Sequence, residues 1–409
     1  MRFRALGAWL LALAAGEAAV RLLSPPAPAI VPAAVDLREH FSARQIERAA
    51  RFARPQRALA LARVAVQLAA LTMLVRRRRP TVTGRKPEPG AEPVAGGALV
   101  GAGLEVGLTL SSLPLTAVMR RRAGEVGLVT QSWREWSVDA FKASVIEATL
   151  AAGAGGVLVG AARRWPRGWW APAGGGSVLL AAALATLAPV LLDPVFNDFE
   201  PLGEGETQAD VLELARRAGV RVGGVYSVDA SRRTTAANAY VTGIGPTKRV
   251  VLFDTLLHRY GRDELRAVLA HELAHVRHHD LARSLAFAAI VAPAGALAVQ
   301  RCSWTLWDER GTPGALPALA LSATLVLGPL ALLASRLSRA LERRADAFAL
   351  ELSGAPEAFV TFERAIAVQN VADLDPPRWA SFLLATHPPV GERIGMALSC
   401  QTRRAQARP

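Results

Sequence analysis

The sequence predicts a mainly α-helical protein that crosses a membrane several times. Of its 409 residues, 51% are hydrophobic, and the mean hydropathy is +0.24. The apolar residues are grouped in blocks close to the length that crosses a bilayer, about 20 residues. Arginines flank several of these blocks, as they do where membrane proteins fix their topology. A lipid bilayer is therefore the first partner that we expect for this chain.

Seven apolar blocks are candidate membrane spans. In chain order they cover residues 5–23, 58–75, 94–119, 143–162, 176–196, 284–300 and 314–335. Glu17 interrupts the first block, and Arg63 and Gln67 interrupt the second. A cleaved signal peptide is an alternative for the first block, because a basic tetrapeptide precedes it. Arg21 and the long stretch before the second block favour a retained span.

The order of the spans divides the chain into four regions. Residues 1–196 form an N-terminal membrane region with five spans, and residues 197–283 form a long polar region. Two more spans follow within residues 284–335, and residues 336–409 form a polar tail. Because two crossings return the chain to the face it left, the polar region and the tail lie on the same side of the membrane.

Composition excludes two other classes of protein. The formal charge is +14, but 34 acidic residues are interspersed, and arginines cluster beside apolar blocks, as at residues 76–79 and 120–122. We therefore expect no nucleic-acid partner. Cys302 and Cys400 are the only cysteines, too few for a disulfide framework or a thiolate zinc site. The span order places them on opposite faces of the membrane.

The polar region contains the sequence His271-Glu272-Leu273-Ala274-His275 in a helical segment without Pro or Gly. Positions i and i+4 share a helix face, so the two imidazoles can bind one Zn²⁺ while Glu272 reaches the metal-bound water. Chance would produce this pattern about 0.01 times in such a chain. It predicts a zinc metalloendopeptidase with Glu272 as general base. A His-rich surface helix is the alternative, because His278 and His279 follow.

A catalytic zinc site usually has three protein ligands and one open position. Glu342, just past the last span, is the candidate third ligand for one zinc ion per chain. Asp346 lies one helical turn further on, where it can orient a zinc-ligating histidine as a carboxylate partner. The alternative for Glu342 is a solvated helix end beside Arg343 and Arg344. His278 and His279 are weaker candidates for the third ligand.

Several motifs together resemble one known family. They cover residues 193–199, 231–234, 238–240, 249–257, 271–275, 342–346 and 386–389, with Arg393 six residues after His387. In these motifs the chain resembles the type I CAAX prenyl proteases, which are zinc metalloproteases with seven spans and an H-E-x-x-H helix between spans five and six. The specific likeness covers about residues 193–394, and the span count extends it to the whole chain.

The resemblance implies roles for individual residues. It makes His271, His275 and Glu342 the zinc ligands and Glu272 the general base. It places His387 and Arg393 near the scissile carbonyl, where they stabilise its oxyanion. It also places three residues beside a substrate backbone that binds as an added strand, namely Asn238, Ala239 and Tyr240.

The resemblance also implies the architecture, the location and the substrate. In that family the spans enclose a water-filled chamber capped by a zincin-like α+β protease domain, which would explain Glu17, Glu105 and Glu147 within spans. The protease domain is then expected on the cytoplasmic face of the cell membrane. The expected substrate is a membrane-associated or CAAX-type protein or peptide, prenylated or unprenylated.

One departure keeps two other functions open. Residues 276–280 read Val-Arg-His-His-Asp, which is closer to the smaller heat-shock-type membrane metalloproteases. Membrane-protein quality control is therefore an alternative function. A non-catalytic membrane scaffold that retains zinc is a third hypothesis, although a structural zinc site does not need the Glu272 carboxylate.

Overall fold

The structure is a computed structural model that describes residues 2–28, 30–77, 93–243 and 248–406. Part of the predicted arginine cluster, residues 78–79, lies outside the described residues. The described chain is mostly helical and contains one small sheet. The predicted fold class, a polytopic helical membrane protein with an α+β protease domain, is confirmed.

The described chain forms fifteen α-helices and four strands. The helices are α1 Arg2–Leu23, α2 Leu37–His40, α3 Ala43–Arg77, α4 Pro93–Glu125, α5 Trp133–Arg164, α6 Trp170–Leu191, α7 Asp193–Phe196, α8 Glu206–Arg217, α9 Asp254–Leu257, α10 Arg262–Arg277, α11 Asp280–Leu306, α12 Leu316–Ser353, α13 Pro356–Gln369, α14 Arg378–Leu383 and α15 Val390–Gln406. The strands are β1 Phe199–Pro201, β2 Gly224–Val228, β3 Ala239–Thr242 and β4 Arg249–Phe253.

Seven of the described helices are long and apolar enough to cross a membrane, namely α1, α3, α4, α5, α6, α11 and α12. Five of the seven predicted spans lie wholly within one of these helices, and the seventh, residues 314–335, begins two residues before α12. The fifth, residues 176–196, extends too far, because α6 ends at Leu191 and α7 begins at Asp193. Pro194 lies in the first turn of α7, where its fixed φ favours a new helix start.

Small residues allow the membrane helices to approach closely. At Gly101 of α4, a Cβ atom would collide with the backbone oxygen of Ala151 on α5. At Gly155 of α5, a Cβ would collide with the backbone oxygen of Gly97 in the same way. Close backbone contact of this kind is how helices pack in lipid, where no hydrophobic force drives them together.

The carboxylates within the spans have different surroundings. Glu17 accepts a hydrogen bond from Arg21 at 2.8 Å and pairs with Arg336 of α12. Glu105 lines an apolar cavity of about 380 Å³ between α4, α5, α6, α11 and α12, whereas Glu147 is exposed. The large water-filled chamber stays a prediction.

The sheet positions the polar part of the chain. Its strand order is β1-β2-β4-β3, with β2 and β4 parallel and both edge pairs antiparallel. In β4, three consecutive apolar side chains are fully buried, as expected of a central strand covered on both faces. β3 pairs only with β4 among the described strands, so its outer edge is unpaired.

The core beside this sheet fixes α10 in place. Leu269 and Leu273 of α10 are fully buried and share one hydrophobic cluster with Leu252 of β4, Phe359 of α13 and Met396 of α15. At the start of the helix, the Glu264 carboxylate accepts a hydrogen bond from the Gly261 amide at 2.9 Å. Because α10 is buried on most of its circumference, its side chains have well-defined directions.

A sharp turn joins α10 to α11. His279 adopts a left-handed conformation with φ of 56°, which few non-glycine residues adopt. This turn ends α10 and lets α11 begin at once at Asp280. As a result, Asp280 lies beside the last turn of α10.

Candidate metal centre

Two helices bring the three predicted zinc ligands together. His271 and His275 lie one turn apart on α10, and Glu342 lies on α12 beyond the apolar part of that helix. Helices α10 and α12 pack against each other. Fully buried alanines on both helices allow this close approach, namely Ala270, Ala274 and Ala345.

The ligand atoms have the separations that a tetrahedral zinc ion requires. His271 Nε2 lies 3.2 Å from His275 Nε2 and 3.3 Å from Glu342 Oε2. His275 Nε2 lies 3.7 Å from Glu342 Oε1. Ligand atoms bonded to zinc at about 2.0–2.1 Å in tetrahedral geometry lie about 3.3 Å apart. The three side chains therefore fit a single zinc ion with one open position.

The polar chemistry of Glu342 also favours a bound cation. Its side chain is only 9% exposed, and Oε2 has no hydrogen-bond partner of good geometry among the described residues. Leaving a buried carboxylate oxygen unpaired is costly. A divalent ion between this oxygen and the two imidazoles would remove that cost.

A buried carboxylate holds the far side of His271. Asp346 Oδ1 lies 2.8 Å from His271 Nδ1, and the Asp346 side chain is fully buried on α12. Arg393 of α15 donates to both oxygens of Asp346, at 2.9 and 2.6 Å. The same guanidinium donates to Glu363 of α13 at 2.8 Å. The structure thus places Asp346, the predicted carboxylate partner, in contact with His271, and Arg393 holds Asp346 in position.

His275 has a matching partner that the sequence analysis missed. Asp280 Oδ2 lies 2.9 Å from His275 Nδ1, and Arg344 of α12 donates to the other oxygen of Asp280. Asp280 is 6% exposed. It lies five residues after His275, outside helical spacing, and reaches the imidazole only because His279 makes the left-handed turn. The sequence analysis gave Asp280 no role at the metal centre, and it offered a His-rich surface helix only as an alternative to the zinc site.

Glu272 faces the open side of the ligand set. Its half-buried side chain lines a cleft of about 720 Å³ beside the two histidines. Burial raises the pKa of its carboxyl group. No described residue forms a hydrogen bond or an ion pair with this carboxylate, so both oxygens are free to bind water or substrate.

Two predicted oxyanion-stabilising residues lie on the same cleft in different environments. The His387 side chain is 63% exposed, and its Nδ1 lies 2.8 Å from Glu342 Oε2. Arg393 is 16% exposed, and its guanidinium nitrogens contact Asp346 and Glu363 behind His271. The predicted contact of either residue with a scissile carbonyl stays a prediction.

The predicted substrate-binding strand lies at the cleft only in part. Asn238 and Ala239 line the cleft, whereas Tyr240 lines a separate cavity. Burial, followed by the charge of Asp193, raises the pKa of Tyr240 to about 12. Its protonated phenol donates to Asp193 at 3.4 Å.

Side chains from another helix hold the backbone that leads into β3. Asn370, at the end of α13, accepts from the Ala237 amide at 3.1 Å and donates to the Ala237 carbonyl at 3.2 Å. Gln369 donates to the Thr235 carbonyl at 2.6 Å. The sequence analysis missed Asn370, because no local motif marks it and its partner is 133 residues away.

The fold and the ligand set define a membrane metalloprotease, and comparisons with known proteins agree. Residues 201–400 match the model of peptidase family M48. The chain is 30% identical over 295 residues to the uncharacterized metalloprotease YhfN of Bacillus subtilis, covering 70% of this chain and 69% of that protein. It is 41% identical over 103 residues to CAAX prenyl protease 1 of Saccharomyces cerevisiae, covering 25% of this chain and 23% of the yeast protein.

A solved structure has the same fold. Ste24p of S. mikatae matches with a TM-score of 0.76 and 19% identity, over 96% of this chain and 97% of that one. The chain therefore belongs to peptidase family M48, and it is similar to CAAX prenyl proteases within the part that they share. It is a multi-pass membrane metalloprotease, and its family implies a bound metal, usually zinc.

Proposed function

We propose that the chain is a zinc endopeptidase that cleaves membrane-associated, CAAX-type protein chains. One observation carries the proposal. The buried ligand set His271, His275 and Glu342 opens onto a cleft where the Glu272 carboxylate has no hydrogen-bond partner among the described residues. A structural metal site would not need an unpaired carboxylate beside its open position.

In this proposal the residues of the chain divide the work of hydrolysis. His271, His275 and Glu342 would hold one zinc ion per chain, which would supply Lewis acidity and lower the pKa of a water molecule at the open position. Glu272 accepts the proton of the attacking water and returns it to the leaving amine. His387, exposed in the cleft beside Glu342, donates to the carbonyl oxygen as negative charge develops there.

Buried carboxylates keep the ligands in position. Asp346 accepts a hydrogen bond from His271 Nδ1, and Asp280 accepts one from His275 Nδ1. These contacts direct the Nε2 atom of each histidine towards Glu342 and raise the basicity of that atom. Arg393 fixes Asp346, and Arg344 fixes Asp280. In this proposal Arg393 contributes to catalysis by fixing Asp346, and its contact with substrate remains a hypothesis.

The unpaired edge of β3 favours an extended peptide substrate. A peptide can add to such an edge through main-chain hydrogen bonds, and Asn238 and Ala239 bring this edge to the cleft. Phe359, Phe362 and Ile366 give the cleft an apolar wall, suited to the aliphatic side chains of a CAAX-type C-terminus. The named activity of the yeast relative supports this substrate class.

The membrane arrangement narrows the substrate further. We place the protease domain on the cytoplasmic face of the cell membrane, as the resemblance implies. The metal centre lies beside the start of α11 and just past the apolar part of α12, so substrates tethered to the bilayer would be held close to it.

The test uses purified full-length protein with measured zinc content. Cleavage of farnesylated CAAX peptides, matched unprenylated peptides and casein is compared for the wild type, Glu272→Gln and the control Glu351→Gln. Glu351 is exposed on α12. We expect wild type and control to cleave the CAAX peptides, and Glu272→Gln to retain zinc but lose cleavage.

Each other outcome rejects part of the proposal. Cleavage of casein without cleavage of either CAAX peptide would favour quality control. Zinc binding without any cleavage by the wild type would favour the scaffold. Cleavage by Glu272→Gln at the wild-type rate would remove Glu272 as the general base.

A further inference from the structure

The end of the helix bundle that lies away from the metal centre is rich in tryptophan. Helix α11 begins beside the metal centre at Asp280 and ends at Leu306, about 40 Å away. Five of the nine tryptophans lie at this far end, in or beside the ends of α5, α6 and α11, namely Trp165, Trp169, Trp170, Trp304 and Trp307. Tryptophan is enriched where a membrane protein meets the lipid headgroups. This end therefore lies at headgroup depth.

Four arginines surround a small cavity at the same end. The cavity has a volume of about 290 Å³ and is lined by Arg4, Arg167, Arg301, Arg310 and Trp304. These residues come from the start of α1, the α5–α6 loop, the end of α11 and the α11–α12 loop. The four guanidinium groups converge although they are distant in sequence. We call this site the arginine pocket.

The positive charge of the arginine pocket is not compensated. No guanidinium of the four forms a hydrogen bond or an ion pair with any residue in the described part of the chain. Arg301 and Arg310 instead lie over the ring of Trp304, at 4.9 and 4.1 Å from its centroid. Asp308 and Glu309 are in the same loop as Arg310 but do not line the cavity.

Two arginines in the other polar cavities have acidic partners. Arg233, which lines a second cavity, pairs with Asp139 at 2.8 Å, and Arg393 in the cleft pairs with two carboxylates. Four like charges around one cavity repel each other. An anion in the arginine pocket would reduce this repulsion.

We propose that the arginine pocket binds the phosphate group of an anionic phospholipid headgroup. Guanidinium forks match phosphate oxygens in pairs, and basic pockets between membrane helices bind anionic headgroups in this way. The apolar side chains beside Arg4 favour a lipid over free phosphate. Phe3 is 91% exposed and Leu6 54% exposed on α1, where acyl chains of the same lipid would lie.

The bound headgroup would join segments that otherwise repel one another. It would contact α1, α11 and the two loops that follow α5 and α11, all at one level of the bilayer. Phosphatidylglycerol should therefore stabilise the full-length protein against heat, whereas the zwitterionic phosphatidylcholine should stabilise it less.

The test measures lipid binding to full-length protein in detergent by native mass spectrometry and by thermal unfolding. Three probes are compared, namely phosphatidylglycerol, phosphatidylcholine and inorganic phosphate. The variant Arg167→Gln/Arg310→Gln removes two charges from the arginine pocket. The control Arg164→Gln/Arg216→Gln removes two exposed charges outside it, so the net charge of the two proteins is equal.

We expect phosphatidylglycerol to bind the wild type and the control alike and to bind the pocket variant at least about tenfold more weakly, because charge-assisted hydrogen bonds are lost. Equal binding to the pocket variant would overturn the proposal. Displacement of the lipid by millimolar inorganic phosphate would overturn the lipid assignment. Because the readout is binding, the result does not depend on proteolysis.

Discussion

Asp280 Oδ2 lies 2.9 Å from His275 Nδ1, and Arg344 of α12 holds the other oxygen of the same carboxylate. This contact links the start of α11 to the end of α10 and to α12. His271 has the equivalent contact with Asp346, at 2.8 Å. Each imidazole therefore has a buried carboxylate at Nδ1 and directs Nε2 towards Glu342.

Replacing Asp280 with Asn should weaken zinc binding. The substitution removes the negative charge at His275 Nδ1 and leaves Arg344 without its ion-pair partner. We expect zinc affinity, measured by competition with a chromophoric chelator, to fall about 10–100-fold. Asp263→Asn is the control, because Asp263 is exposed on α10. Unchanged affinity in Asp280→Asn would show that the contact does not orient the ligand.

Replacing Arg393 with Met should destabilise the protein. Arg393 is the arginine between the buried Asp346 and Glu363 carboxylates, and removing one partner of a buried ion pair costs about 3–5 kcal/mol. Thermal unfolding of the zinc-loaded protein measures the effect.

The variant Arg393→Lys separates positioning from substrate contact. Lysine keeps the charge but cannot donate in the paired geometry of a guanidinium. If Arg393 acts through Asp346, this variant should lose zinc affinity and activity together. Full zinc affinity with strongly reduced kcat would instead indicate direct contact with the reacting carbonyl.

Replacing Asn370 with Ala should impair peptide binding without affecting the metal. The substitution removes the two hydrogen bonds that hold Ala237 beside β3. Two such bonds contribute about 1–3 kcal/mol together, so we expect kcat/KM for a CAAX peptide to fall about 5–100-fold through a higher KM. Zinc affinity should not change. Gln406→Ala removes an exposed amide on α15 and should leave KM unaltered.

Removing zinc should lower the thermal stability of the folded protein. A ligand at a thousand times its Kd stabilises the state that binds it by about 4 kcal/mol, and its loss leaves the buried Glu342 carboxylate without a cation. Dialysis against a chelator should lower Tm, and added zinc should restore it. If Tm were the same with and without zinc, the buried ligand set would not be a metal site.

Local patterns in the sequence predicted the spans and the two histidines. Seven apolar blocks have the length of a bilayer crossing, and five of them fall wholly within single α-helices of the structure. His271 and His275 need only the spacing of one helical turn. Glu342 required a longer argument, because it depends on the same-side placement of two distant segments.

Other parts of the site depend on contacts that the sequence does not reveal. Asp280 reaches His275 because His279 adopts a left-handed conformation, which nothing in the sequence around it predicts. Glu363 lies in α13 and Asn370 directly follows it, and they meet residues 30 and 133 positions away. The fifth membrane helix ends earlier than predicted because a new helix, with Pro194 in its first turn, begins at Asp193. Hydropathy alone does not detect that break.

Equilibrium zinc affinity of Glu342→Gln, beside Glu351→Gln on the same helix, tests most directly whether α10 and α12 meet around one ion. Glutamine keeps the shape of the side chain but removes the charge that binds the metal. We expect the control to bind zinc like the wild type and Glu342→Gln to lose more affinity than Asp280→Asn. Wild-type affinity in Glu342→Gln would contradict the account, because α12 would then supply no ligand.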